Sequence, residues 1–310
     1  MTASISTELA RYGPRAGGPP ATLAEARTYC RRLARSHYEN FSVVSFLVPR
    51  RLRQHFCNIY AYCRWSDDLA DETGDSTRSL ELLDWWRQEL EACYAGRATH
   101  PVFVALRESI GSFDIPAAPF HHLLTAFRRD QHQTRYETWD ELLDYCRYSA
   151  NPVGHLVLYL GGCADDVRRE QSDHICTGLQ LVNFCQDVDR DYVRGRVYLP
   201  RDLQRRYGVD EAMLALRAPT APLQDLVADM TGRAESQLHA GLPLVESAPR
   251  ELRRQVALFA AGGLAIAAAI RRRNFDVWTE RPTLGRREKL RLLLRVWTAP
   301  RGSIGRRILP

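Results

Sequence analysis

The stretch Leu179–Pro200, LQLVNFCQDVDRDYVRGRVYLP, decides the fold because it combines helical periodicity with regularly spaced polar side chains. Asn183, Asp187 and Asp191 are four residues apart, so an α-helix places them on one face, about a turn from one another. The apolar residues between them predict a largely buried helix, and buried carboxylates are costly unless they are paired or bind a cation. The spacing therefore predicts Mg²⁺ ligands, because Mg²⁺ prefers oxygen and bridges carboxylates to phosphates. The alternative is a solvated acidic face with salt bridges along the helix.

A second acidic stretch, Arg51–Asp71 (RLRQHFCNIYAYCRWSDDLAD), strengthens the metal interpretation. Its apolar periodicity predicts a helix that ends in Asp67, Asp68 and Asp71, with Arg64 one turn earlier. Three acids at the C-terminal end of a helix oppose the helix dipole, so they need another reason to be there. Two such acidic helices facing one another would hold Mg²⁺ ions that bind and neutralise a departing diphosphate.

The rest of the chain predicts an all-α fold, because no segment of strand length alternates between apolar and polar residues. We expect a flexible leader over residues 1–21, a single all-α domain over 22–285 and a basic C-terminal segment over 286–310. Asn151–Gly154 should break or kink a helix. The small side chains of Gly262–Ala269 indicate close helix packing or, alternatively, the wall of an elongated apolar pocket.

Composition narrows the class of protein and its location. The chain has 310 residues and a formal net charge of +6, and its eight cysteines lack metal-ligand spacing, so we expect reduced thiols and a cytoplasmic location. The longest apolar run, Val256–Ile270, is too short to span a membrane. The basic end, Arg281–Pro310, can lie peripherally on the inner face of an anionic membrane or form an ordinary solvated helix. No nucleic-acid-binding motif is present, and no nucleic-acid partner is expected.

The two acidic stretches together resemble the squalene/phytoene synthase family of head-to-head prenyl transferases. The resemblance rests on IYAYCRWSDDLAD and LVNFCQDVDRDYVRGRVYLP, with YCRYSANPVG between them, and extends from about His37 to Arg281. It implies an all-α isoprenoid-synthase helical bundle around a central cavity. It also implies Mg²⁺ as cofactor and an isoprenoid diphosphate as substrate.

The resemblance assigns roles to individual residues. The implied metal ligands are Asp67, Asp68, Asp71, Asn183, Asp187 and Asp191. The implied catalytic residues are Tyr145, Asn183, Asp187 and Asp67, with Tyr145 near a carbocation as a proton-handling or cation-stabilising group. The implied substrate-binding residues are His37, Asn40, Tyr60, Arg64, Val153, Gly154, Gln180, Gln186, Arg196, Tyr198 and Arg281.

Departures from the family pattern narrow the expected reaction. Members that condense two prenyl diphosphates usually have serines at Tyr38 and Asn40, a basic residue at Gln186 and a tyrosine at Leu264. HYENF, SANPVG and NFCQD most resemble the bacterial hydroxysqualene synthase branch, in which water captures the cation formed from presqualene diphosphate, and no NADPH is expected. The loss of a cation at Gln186 fits a substrate with one diphosphate. The alternatives are a squalene, dehydrosqualene or phytoene synthase and a non-catalytic assembly factor of the same fold.

Overall fold

The computed structural model describes residues 5–36 and 48–298, and every regular element within them is an α-helix. The all-α prediction is therefore confirmed. The residues His37, Tyr38 and Asn40 lie outside the described residues, so their assignments stay predictions.

The chain forms two compact units, each of which is described by itself. The first unit comprises residues 1–132 and 155–162, and the second comprises 133–154 and 163–310. The earlier helices are α1 (Ile5–Tyr12), α2 (Leu23–Ser36), α3 (Arg53–Asp71), α4 (Ser76–Tyr94), α5 (Pro101–Phe113), α6 (Ala118–Arg129), α7 (Trp139–Ser149) and α8 (Asn151–Leu160). The later helices are α9 (Asp166–Gln186), α10 (Val188–Val193), α11 (Arg201–Tyr207), α12 (Glu211–Ala215), α13 (Ala221–Gly241), α14 (Pro243–Ser247), α15 (Arg253–Arg272) and α16 (Arg286–Thr298).

Aromatic side chains of α3 and α4 form the core of the first unit. Trp65 and Trp86 stack with ring centroids 5.1 Å apart, and Tyr62 meets Phe120 edge to face at 4.9 Å. Their polar atoms are satisfied locally, because Tyr62 Oη donates to the Phe120 carbonyl and Trp86 Nε1 donates to Ser66 Oγ. Helices α2, α5 and α6 pack around this core. One face of α3 therefore packs against the core. The aspartates of its last turn lie outside that face and are partly exposed.

The second unit is built on an antiparallel pair, α9 and α13, with α15 packed on both. A Cβ at Gly178 would lie 2.7 Å from Leu238 Cγ, and one at Gly241 would lie 2.5 Å from Ile175 Cγ1. A Cβ at Gly263 would lie 2.9 Å from Leu238 Cδ1. Glycines therefore allow these helices to approach closely, which favours close packing over a pocket wall for Gly263.

One described helix, α15, is long and apolar enough to cross a membrane by length and composition. Its most apolar window has a mean hydropathy of 1.3, but 61% of that window is buried inside the protein. The contacts of α15 with α9, α13, α14 and α16 explain this burial. It is the core helix of the second unit.

The expected continuous helix through Asp191 is wrong, because α9 ends at Gln186 and α10 begins at Val188. Asp187 separates them with φ −107° and ψ 15°, although its N–H still donates to the Asn183 carbonyl and its carbonyl accepts from Asp191 N–H. The one-turn spacing of the three polar residues therefore survives. The expected burial holds only in part, because Asn183 is exposed.

The break near Asn151 occurs at Ala150, two residues before the proline. Helix α7 ends at Ser149, and Ala150 precedes α8. Pro152 lies in the first turn of α8, where its missing N–H has no helical partner to lose.

His100 is a buried titratable group that the fold holds neutral. Its Nδ1 accepts from the Val102 N–H at the start of α5, and its ring packs edge-on against Trp65 and Trp86. Burial lowers the pKa of His100 from its ordinary 6.5 to about 3. The unfolded chain therefore takes up a proton near pH 6.5, whereas the folded chain does so only near pH 3.

We expect this difference to reduce stability as the pH falls from 6.5 towards 3, with a plateau above 6.5. In His100→Asn the amide oxygen can still accept from Val102 N–H, but nothing titrates. The stability advantage of the wild type over this variant should shrink by about 1.4 kcal/mol per pH unit below pH 6. Urea unfolding at a series of pH values measures it, and a difference that is independent of pH would contradict the assignment.

Close packing at Gly178 predicts a second stability effect. Gly178→Ala places a Cβ 2.9 Å from Leu238 N and 3.0 Å from the Ala234 carbonyl oxygen, and this backbone cannot move aside cheaply. We expect a loss of about 1–3 kcal/mol in the free energy of unfolding. Gly232→Ala on α13 is the control, because nothing lies within 4 Å of its Cβ and helix propensity alone should stabilise it by up to about 1 kcal/mol. Equal effects of the two substitutions would refute the packing explanation.

Candidate active site

The first acidic motif occupies the last turn of α3, where one arginine holds several carboxylates. Arg64 Nη1 lies 3.3 Å from Asp67 Oδ2, and Arg64 Nη2 pairs with Asp68 and, at 3.1 Å, with Glu72 Oε1. This arrangement places a cation one turn before the aspartates, as the sequence predicted. Asp71, the last residue of the helix, is exposed.

Asp68 is the buried member of this motif. Only 13% of its side chain is exposed, and its Oδ1 pairs with Arg64 Nη2. Burial raises the pKa of Asp68 to about 7, and the neighbouring Arg64 only partly opposes this rise. A carboxylate in such a place gains from a further positive charge, so its chemistry fits a bound cation. Tyr60, one turn before Arg64, is partly buried, and burial raises its pKa.

The second motif lies where α9 gives way to α10, and Arg281 holds its central carboxylate. Arg281 donates to both oxygens of Asp187, at 2.8 Å for Oδ2, and its Nη2 also donates to Gln186 Oε1 at 2.9 Å. The Gln186 amide in turn donates to the Pro282 carbonyl. These hydrogen bonds fix the segment around Arg281 to the end of α9. The side chain of Asp187 is only 13% exposed.

The environment of Asp191 disfavours its negative charge, so a bound cation would stabilise this carboxylate. Burial, together with the negative charge of Asp187, raises the pKa of Asp191 to about 7. The guanidinium groups of Arg194, Arg196 and Arg281 oppose that rise. By contrast, Asp189 on the same short helix is held by Arg217 through two hydrogen bonds of 2.6 and 3.0 Å, which gives it a structural partner of its own.

An aromatic cluster lies behind the second motif and consists of Tyr136, Tyr145, Phe184 and Tyr198. Phe184 and Tyr198 stack with centroids 4.1 Å apart, and Tyr145 lies 5.8 Å from Tyr198 and 5.4 Å from Tyr136. All four side chains are buried. The faces of such rings carry partial negative charge and stabilise nearby cations. The cluster therefore brings together the predicted residues Tyr145 and Tyr198.

A small cavity adjoins this cluster. Phe184, Tyr198, Asp191 and Arg196 are among its lining residues, and its volume of about 10 Å³ is at the lower limit for holding one water molecule. An aromatic ring, a carboxylate and a guanidinium thus border the same space.

The remaining predicted residues near α8 divide into buried and exposed positions. A Cβ at Gly154 would lie 2.2 Å from Ser172 Oγ and 2.6 Å from Cys176 Sγ, so helix packing by itself favours a glycine here. Val153 is 40% exposed and Gln180 is partly buried. Their predicted roles in substrate binding stay predictions.

The predicted site residues thus fall into two groups, one in each unit. The first unit holds Tyr60, Arg64, Asp67, Asp68 and Asp71, and the second holds Tyr145, Val153, Gly154, Gln180, Asn183, Gln186, Asp187, Asp191, Arg196, Tyr198 and Arg281. Across residues 5–36 and 48–298, no three His, Cys, Asp or Glu side chains stand close enough together to hold a metal ion. Arginines hold the carboxylates in this arrangement. Sequence reasoning missed these pairings and the roles of Tyr136 and Phe184, because no spacing along the chain indicates them.

Fold and motifs together define a helical protein of the isoprenoid-synthase fold, with an aspartate-rich turn in each unit. The family model for squalene/phytoene synthase matches residues 34–288, and the chain belongs to that family. Members of the family are prenyl diphosphate synthases or transferases that bind isoprenoid diphosphates and condense them head to head. The chain is therefore a squalene/phytoene-type synthase by family.

Individual relatives refine the comparison. Hydroxysqualene synthase of Rhodopseudomonas palustris is 39% identical over 209 residues, which cover 66% of this chain and 70% of the relative. Phytoene synthase of Arthrospira platensis is 36% identical over 208 residues, covering 63% and 67%. Among solved structures, squalene synthase HpnC from Alicyclobacillus acidocaldarius superposes with a TM-score of 0.78 at 46% identity, covering 82% of this chain and 95% of that one.

The pairing of Arg281 with Asp187 leads to a prediction about metal binding. If Asp187 is a Mg²⁺ ligand, the guanidinium competes with the metal, so Arg281→Gln should tighten Mg²⁺ binding about tenfold in the absence of substrate. Arg217→Gln is the matched control, because it removes an equivalent pair from Asp189 and should leave the affinity unchanged. Calorimetric titration with Mg²⁺ measures both. An affinity that Arg281→Gln leaves unchanged or weakens would show that the two cations do not compete.

Proposed function

We propose that this protein converts presqualene diphosphate and water to hydroxysqualene and diphosphate, with Mg²⁺ and without NADPH. Three relationships support the proposal: the family, the 39% identical hydroxysqualene synthase and the 46% identical HpnC structure. We place the reaction in squalene and hopanoid biosynthesis. We also place it in the cytoplasm, with the protein in peripheral contact with the inner face of the membrane.

The observation that carries the proposal is the junction of the aromatic cluster with charged groups in the second unit. Tyr198 belongs to the cluster, and Arg196, two residues earlier, borders the same small cavity as Asp191. A reaction that separates charge needs both kinds of surface, because a ring stabilises the carbocation and a guanidinium binds the leaving anion. The cavity adds room for about one water molecule at this junction.

The chain's own residues bind the leaving group and stabilise the cation in the proposed reaction. Arg196 binds the diphosphate, and the buried rings of Tyr145 and Tyr198 stabilise the cation that its departure leaves. Water then adds its oxygen to the cation, and the departed diphosphate accepts the proton that the water loses. The buried cluster excludes bulk water, which limits capture to one positioned molecule.

Mg²⁺, when bound, would take up the negative charge that develops on the departing diphosphate. Asn183, Asp187 and Asp191 in the second unit have the oxygen ligands that it requires. In the first unit Asp67, Asp68 and Asp71 have the same chemistry, and the largely buried carboxylate of Asp68, whose pKa burial raises to about 7, fits it. We assign all six residues to the metal, and Arg64 to the diphosphate.

One observation favours a second candidate, the head-to-head condensation of two prenyl diphosphates. The sequence lacks a basic residue at Gln186, which suggested weak binding of a second diphosphate. In the structure the Arg281 guanidinium lies against Gln186 Oε1 at 2.9 Å, so a positive charge is present at that position after all. The argument from the missing cation therefore no longer separates the two reactions.

The deciding experiment supplies presqualene diphosphate and Mg²⁺ in ¹⁸O-labelled water and analyses the lipid extract by mass spectrometry. We expect hydroxysqualene with a labelled hydroxyl oxygen, because water captures the cation, and we expect the same product with or without NADPH. EDTA should abolish turnover, and Asp187→Ala and Asp191→Ala should each reduce it by orders of magnitude.

Other products would move the assignment within the family. A squalene product that requires NADPH would identify a reductive synthase. Efficient conversion of farnesyl diphosphate alone would identify a condensing synthase. An unlabelled hydroxyl group would exclude capture of solvent water.

A further inference from the structure

The C-terminal helix α16 is fixed in rotation by contacts with α15. Val296 is fully buried, and Glu288 accepts both from the Gly285 N–H and from Arg272 Nη2, each at 2.8 Å. Arg254 Nη2 donates to the Trp297 carbonyl at 3.4 Å, and its guanidinium covers one side of the Trp297 ring at 4.9 Å, which leaves the side chain 58% exposed. These contacts determine which face of α16 points away from the protein.

The outward face carries an apolar stripe, which consists of Leu290, Leu294 and Trp297. Their spacing of four and three residues places them on one side of the helix, and they are 57%, 53% and 58% exposed. Nine large apolar side chains are exposed in the described part of the chain, and three of them lie together here. A single exposed leucine is ordinary, but three adjoining apolar side chains form a patch that indicates a binding surface.

Positive charges border this apolar stripe on both sides. Arg286 precedes Leu290 by one turn on one edge, and the exposed Arg287 and Arg291 lie along the other. The helix has five basic residues and a single acid, Glu288, which is committed to Arg272. The outward face therefore combines apolar side chains with uncompensated cations.

We propose that the apolar stripe of α16 inserts into the interface of an anionic lipid bilayer, where Arg286, Arg287 and Arg291 pair with lipid phosphates. Apolar side chains flanked by arginines match the two layers of that interface, and tryptophan favours the boundary between them. A second copy of this face would bring like charges together, so charge complementarity favours lipid over self-association. The inference rests on the proposed function in one respect, namely that the protein works at a membrane surface. A membrane is the expected location because the substrate and product of that function are lipids.

Vesicle sedimentation of the full-length protein tests the surface. The wild type should bind vesicles of phosphatidylcholine that contain phosphatidylglycerol, and Leu290→Ala/Leu294→Ala/Trp297→Ala should bind at least about tenfold more weakly. The matched control, Val167→Ala/Leu216→Ala, removes exposed apolar side chains elsewhere and should bind like the wild type. Arg287→Gln/Arg291→Gln should lose affinity for anionic vesicles only, and high salt should have the same effect.

Several outcomes would overturn the proposal. Equal binding by the wild type and the triple variant would show that the apolar stripe does not bind the bilayer. Failure of the wild type to sediment with anionic vesicles would show the same. A wild-type dimer that the triple variant loses in analytical ultracentrifugation would identify the stripe as an interface between copies. Turnover of detergent-dispersed substrate should be unchanged in the triple variant, which also shows that it folds. Failure of the surface is thus distinguishable from failure of the proposed function, which would remove turnover from the wild type as well.

Discussion

The pairing of partly buried aspartates with arginines is the constraint on which the candidate site depends. Asp68 and Asp187 are each only 13% exposed, and a charge in such a position destabilises the fold unless an opposite charge lies beside it. Arg64 supplies that charge one turn away, whereas Arg281 supplies it from 94 residues along the chain. The protein can therefore fold without a metal ion, but any cation that uses these carboxylates must compete with a guanidinium.

The position of the aspartates at helix ends adds to the electrostatic cost that the arginines offset. The last turn of α3 leaves Asp68 and Asp71 at a terminus that disfavours negative charge, and Asp187 interrupts the helical path between α9 and α10. Behind these ends the helices are tightly packed, through Trp65 in the first unit and Phe184 in the second. A rigid apolar face thus holds acidic groups that would otherwise repel one another.

The sequence was sufficient for the all-α fold, because helical periodicity is a local property of the chain. At the start of α2, Thr22 and Glu25 are three residues apart and form a capping box, in which Thr22 N–H donates to Glu25 Oε2 at 2.9 Å. The break at Asp187 and its pairing with Arg281 could not be predicted, because both depend on contacts between distant segments. The same holds for Asp189, since nothing in the spacing separates it from its neighbours, and only the contact with Arg217 shows that it is structural.

The origin of the cation beside Gln186 changes what that charge can do. A basic side chain at position 186 itself would be free to bind a phosphate, whereas the Arg281 guanidinium is shared between Gln186 and both oxygens of Asp187. Its positive charge is largely neutralised as long as Asp187 is ionised and paired with it. A metal ion that took over Asp187 would release the guanidinium towards an anion. The charge available to a diphosphate at this position therefore depends on the occupancy of the neighbouring carboxylate, which couples anion binding to cation binding through a single arginine.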